Sequence, residues 1–212
     1  MVGLLVSFLV LPAGGHRLGR QEAARVMDLL AEVLARLLPG KVADVEAEAL
    51  ARLYERIALA LTDLATCAAE GEQERKARLS AEPDIRPLRE TLARLRQDVV
   101  TVRRVVRGDP WPEPLHSRLG PKLVEVGRAG GEYLRAGSIE LVARRPPPSS
   151  ARLEAAFVAA AKEIAALRSE GLTRSLPDDM VGRFFALSFS LDQMRRNLRE
   201  LDGQLERSAG DH

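Results

Sequence analysis

The sequence predicts an all-α protein: an antiparallel bundle of six long helices whose seams follow heptad spacing. Three observations carry this. Ala, Leu, Arg and Glu are abundant while aromatic residues make up only 4% of the chain, and those four types are strong helix formers. Apolar residues recur at alternating spacings of three and four, the mark of one helix face, most strictly over residues 85–106 and 184–205. Proline and glycine clusters at 39–40, 108–114, 144–148 and 171 cut the chain into helix-length segments.

Composition bounds the protein further. With 46% hydrophobic and 29% charged residues in 212, the chain has globular values throughout and no second composition class. A single domain of this size buries roughly 70% of the surface its unfolded chain exposes. The net charge of +2 is too small to argue for nucleic acid. Basic residues are mostly Arg, with only Lys41, Lys76, Lys122 and Lys162 as Lys; coding bias accounts for this, as does Arg-based anion recognition. Cys67 is the single cysteine, so no disulfide forms within the chain, and it reads as a small core residue.

The elements follow in order. A first helix over 15–38 carries Val26, Leu30, Val33 and Leu37 on one stripe and ends before Pro39-Gly40. A second, over 42–75, places Leu50, Leu53, Ile57, Leu61 and Leu64 at helical spacing and would be roughly 50 Å long at 1.5 Å per residue. Its end, Glu70-Gly-Glu-Gln-Glu-Arg-Lys76, is polar enough to project into water. Pro83 precedes a third helix with Ile85, Leu88, Leu92, Leu95, Val99, Val102 and Val106 in an unbroken heptad pattern, which calls for helix partners along its whole length. Gly108 and three prolines stop it, and Trp111 among them reads as an aromatic lid over a bundle end.

A fourth helix over 115–142 has Leu119, Leu123, Val126, Tyr133 and Leu134 as its apolar face. Gly127, Gly130 and Gly131 weaken it or allow a neighbour to come close. Residues 144–148 form a stiff linker, and Ser149 and Ser150 can cap a fifth helix over 151–169 with Leu153, Phe157, Ala160, Ile164 and Leu167 inward. Ser175-Leu-Pro-Asp178 fits a capping box for the last helix. There the stripe Phe184, Leu187, Leu191, Met194, Leu198, Leu201 and Leu205 is strictly heptadic, with Phe185 and Phe189 widening its face.

No catalytic, metal or cofactor constellation stands out. His16, His116 and His212 are far apart, and no His-x-x-x-His, Cys-x-x-Cys or Glu-x-x-His spacing exists. There is neither a phosphate-cradling glycine loop nor a nucleophile elbow, so the reading is not an enzyme. Residues 84–107 hold seven arginines against three acidic residues. Arg103, Arg104 and Arg107 near the end of that helix either complement its dipole or form a patch for an anion. In the last helix, Gln193, Arg195, Arg196 and Asn197 form a polar face in which Asn197 can hydrogen-bond to a neighbour; Asp192 and Arg196, and Arg195 and Arg199, are each four apart.

The chain opens with an uncharged apolar run over residues 2–11, including Leu4, Leu5, Phe8 and Leu11, followed by Pro12 and then His16 and Arg17. It is about half of the roughly 20 residues that span hydrocarbon. Two readings fit: the last turns of a transmembrane helix leaving on the basic, cytoplasmic side, or an N-terminal helix buried in the bundle.

The segment Phe184-Phe-Ala-Leu-Ser-Phe-Ser-Leu-Asp-Gln-Met-Arg-Arg-Asn-Leu-Arg-Glu-Leu201 resembles the terminal helix of the soluble region in fusaric acid resistance (FUSC) and aromatic acid exporter proteins. Asp192 stands for the family's Glu, Met194 for Leu and Glu200 for Asp. The opening run with His16-Arg17 is similar to the family's exit from a membrane helix. The resemblance implies residues 1–13 as the end of a transmembrane helix and 14–212 as a cytoplasmic helical domain on the bacterial inner membrane. Its partners would be membrane helices of the same or another polypeptide, with homo-oligomers compatible and no nucleic acid. The family's transport helices are missing, so this chain alone would not transport, and no substrate-binding residue carries over. Two alternatives stand beside it: a free-standing helical scaffold or regulator, and a small-ligand-binding bundle holding aromatic acids near Arg103, Arg104 or Trp111.

Overall fold

Punctuation and periodicity do their local work as expected in the computed structural model, which describes residues 15–37, 44–77, 83–106 and 110–210. Six α-helices form: α1 (Gly15–Leu37), α2 (Asp44–Lys76), α3 (Arg86–Val106), α4 (Leu115–Ala143), α5 (Ala151–Ser169) and α6 (Asp178–Ala209), with no strand among the described residues. The expectations for Leu4, Leu5, Phe8, Leu11, Pro12, Arg107 and Gly108 fall outside the described residues.

Each helix runs antiparallel to the next, but the chain is not wound as a simple ring. α1 packs on α4, and α3 packs on α6, while α3 and α4, consecutive in sequence, do not touch among the described residues. α2 lies against α1 and α3, and α5 lies against α4 and α6. The first three helices and the last three therefore have the same topology and meet through two antiparallel seams. The heptad side chains fill the centre: every member of the α6 stripe from Phe184 to Leu205 is buried, as are Leu88, Leu92, Leu95, Val99 and Val102 of α3.

The glycines of α4 serve close approach. A Cβ on Gly131 would sit 3.2 Å from the Ala31 carbonyl oxygen, and one on Gly137 would sit 2.9 Å from Met27 Cε and 3.2 Å from Leu205 Cδ1. At Gly131 the obstacle is α1 backbone, so a larger residue there crowds the helix itself, whereas at Gly137 the obstacles are the side-chain ends of Met27 and Leu205. The helical cost of glycine is offset by packing.

Four local expectations are corrected. The polar end of α2 projects into water on one side only: Glu70, Gln73 and Lys76 are exposed, but Gly71 is buried beneath the His16 ring and Arg75 reaches Asp84 at 3.0 Å. Ser175 caps nothing; its hydroxyl turns back to the Leu172 carbonyl at 3.5 Å, and α6 starts after Pro177. The proline keeps Leu176 out of the helical region, so the first turn cannot begin earlier. Ser150 occupies the N-cap position of α5 without capping, its hydroxyl donating to Asp202 at 3.3 Å, and it is Ser149 whose Oγ accepts the Ala151 N–H at 3.4 Å. Cys67 is half-buried rather than core. Beyond α4 the chain turns on Arg144 in the left-handed region (φ 56°), and the Arg145 N–H closes the end on the Glu140 carbonyl at 2.9 Å.

Candidate functional site

The α6 segment at 184–201 sorts its residues onto three sides once the helix is rotated into place. One side is core. Beside the expected stripe runs a second buried column, Ser190 and Asn197, seven apart, and it faces a matching column in α3, Thr91, Asp98 and Val105. Where the two columns meet, Asn197 Nδ2 donates to Asp98 Oδ2 at 2.6 Å, fully inside the seam. Burial pushes the Asp98 carboxyl up, opposed by the Asn197 hydrogen bond and by the charges of Arg94 and Arg196. Asn197 thus bonds to a neighbouring helix as the sequence suggested; its partner was missed. The signal was present, since Asp98 follows Leu95 by three and precedes Val102 by four.

A second side grips α5. Arg195 donates to Glu154 through Nε at 2.9 Å and Nη2 at 2.8 Å, and Arg199 reaches the same carboxylate at 2.6 and 2.7 Å. The bonds from Arg199 and then Arg195 hold Glu154 below the usual carboxylate range against the opposing effect of burial. Arg195 and Arg199 share an acidic partner across the interface, so they form more than a local face.

The third side looks outward and carries a correction. Phe185 and Phe189 do not widen the core face; they are 45% and 66% exposed. At 100° per residue they fall on the far flank of the stripe. The Arg168 guanidinium of α5 lies 5.1 Å from the Phe185 ring centre, and Arg196 on the same flank donates to Gln193 at 2.9 Å. Beside them a cleft between α5 and α6, lined by Phe157, Ile164, Arg168, Ser188, Leu191 and Asp192, encloses about 130 Å³. That is below the roughly 300 Å³ at which small-molecule sites begin.

Trp111 closes the end of the α3–α6 seam, as expected of a lid. Its ring meets Phe184 edge-on at 6.2 Å, with the Arg183 guanidinium 4.9 Å from its centre. Arg183 also donates to the Val105 carbonyl through Nε and Nη2 at 3.2 and 3.0 Å, satisfying an open acceptor at the end of α3. No sequence pattern marks Arg183 for this role.

No protein-family model matches the chain, and no curated protein or solved structure matches it either.

Other expected site residues are scattered. His16 is buried, 3.9 Å from Glu74, and does not face outward, whereas Arg17 beside it is exposed. Arg103 stacks on Tyr54 of α2 at 5.0 Å from the ring centre, and Arg104 on the next position is exposed. Among the described residues, no cluster of His, Cys, Asp and Glu could hold a metal ion, and no helix is long and apolar enough to cross a membrane.

Proposed function

We propose that this chain is the helical accessory domain of an inner-membrane efflux protein similar to fusaric acid resistance and aromatic acid exporters, placed on the cytoplasmic face, where it serves assembly or coupling rather than catalysis. The observation that carries the reading is the division of the resembling segment. Its core and α5-binding residues already account for folding, yet it also presents Phe185 and Phe189 to solvent. Large exposed apolar side chains side by side on one helix flank are a common mark of a contact surface. In this reading the partner is the membrane-embedded part of the exporter or a second copy of the chain.

Fractionation tests it. The full chain should pellet with membranes, a chain starting at Gly14 should stay in the supernatant with an unchanged melt, and Phe185→Ser with Phe189→Ser should weaken membrane association further. Equal solubility of the full and shortened chains would sink the reading.

The burial of His16 favours a second reading, a free-standing scaffold whose opening run packs on its own bundle. His16 packs against Gly71, so the first turn of α1 is covered on one side by α2. In that case removing residues 1–13 would lower stability without moving the protein between fractions.

A further inference from the structure

Arginines on this bundle commonly answer carboxylates: Arg118 binds Glu163 and Glu170, Arg152 binds Glu125 and Glu132, and Arg195 and Arg199 share Glu154. The contact between α2 and α3 is different. Tyr54 is only 8% exposed, and its hydroxyl has no hydrogen-bond partner among the described residues. The Arg103 guanidinium lies 5.0 Å from the Tyr54 ring centre. Arg96 sits two turns earlier on the same face of α3, and its buried Nε–H is also without a partner among the described residues.

The electrostatics agree with this geometry. Burial pushes the Tyr54 phenol up to about 12, Arg103 and then Arg96 oppose that rise, and no carboxylate contributes. The phenol is therefore an O–H donor at neutral pH. A guanidinium has donors only, so the contact sets two cations beside a phenol, and the Tyr54 oxygen, which can also accept, has no partner among the described residues. Buried donors in folded proteins nearly always have a partner.

We propose that Tyr54, Arg96 and Arg103 form a binding site for a phosphate-class oxyanion where α2 meets α3. Phosphate presents acceptors in several directions and suits donors arriving from two guanidinium groups and a hydroxyl better than one fork does. Inorganic phosphate and a phosphomonoester lipid headgroup offer the same chemistry, and the experiment separates them.

The full chain is titrated with inorganic phosphate by calorimetry, and its sedimentation is measured with phosphatidylcholine vesicles with and without phosphatidic acid. Saturable binding is expected in at least one arm. A response to inorganic phosphate identifies a solute, and a response only to phosphatidic acid identifies a headgroup. Tyr54→Phe keeps the ring under Arg103 and removes one donor; it and Arg96→Gln should each weaken binding about tenfold, the equivalent of one lost charge-assisted hydrogen bond. Arg104→Gln, on the exposed flank, should stay within about twofold. Absence of saturation in both arms overturns the site. So does an equal loss in Arg104→Gln, or unchanged binding in Tyr54→Phe and Arg96→Gln.

Discussion

The two seams that join the halves of the bundle achieve tight pairing by opposite means. In α1–α4, closeness comes from missing side chains: Gly130, Gly131 and Gly137 let α1 settle where a Cβ would collide. The polar contact at its edge, Ser138 to Asp28 at 2.6 Å, sits beside the packing and not within it. In α3–α6, closeness comes from interlocking heptad side chains, with a carboxylate–amide pair set inside. The first seam fixes distance by shape. The second fixes register by a polar pair that one slipped turn would leave unsatisfied, at the cost of burying a carboxylate. Equivalent positions in one topology thus place their specificity in different physical terms.

The harshest break is a charge in the second seam. Leu198→Asp places an unpaired carboxylate at a site 2% exposed and should cost about 4 kcal/mol or more; loss of the cooperative thermal melt is the expected result. Gly131→Leu attacks the first seam through backbone contact and should cost about 3 kcal/mol, since overpacking there moves a helix and not a flexible side chain. Its melt should remain cooperative at lower temperature. Asn197→Leu leaves Asp98 buried without its donor and should cost about 2 kcal/mol. Pairing it with Asp98→Leu should recover most of that loss, which a denaturant-unfolding double-mutant cycle reads directly.

The seams should also separate by pH. Because burial raises the Asp98 carboxyl in the folded state, the native protein holds that proton more tightly than the unfolded chain does. The stability linked to Asp98 is complete below the ordinary carboxylate range and is lost as pH rises through the raised value. Asp84, before α3, runs the other way. Burial pushes it up, but hydrogen bonds from the Arg86 side chain and backbone and from Arg75 outweigh that and hold it at about 2, so its contribution is lost as pH falls towards that value. Melting temperatures across acid to neutral pH should therefore show a decline above the ordinary carboxylate range in the parent that Asp98→Asn removes, with the acid-side loss unchanged in both proteins. The smallest effect belongs to Phe189→Ser, which should change stability by less than about 0.5 kcal/mol because the side chain packs little; a larger loss by thermal melting would return Phe189 to the core.

Much of this molecule was legible before folding was considered. Prolines and glycines act on their own few residues, so helix ends at 37, 106, 143 and 169 fall within a residue or two of the punctuation that predicts them. Heptad spacing is equally local: every apolar residue expected on the α5 and α6 stripes is buried. Gly130 and Gly131 were read as either weakening α4 or allowing close approach, and the second holds for them, while Gly137 was not singled out. The site was less legible. Asn197 was singled out without Asp98, the possible anion patch was placed on Arg103, Arg104 and Arg107, without the Tyr54 and Arg96 of the proposed site, and Arg183 gave no signal.

A helix period computed along one segment states which residues share a face, and with the punctuation it determined six helices and their core stripes. It carries no information about which neighbour each flank meets. Tertiary packing alone decided that Asp98 and Asn197 form a second buried column, that Phe185 and Phe189 point away, that His16 is covered by α2, and that Arg195 and Arg199 converge on Glu154. Those outcomes depend on the rotation of one helix against another. That rotation is set by the summed fit of all six, so no single segment encodes it.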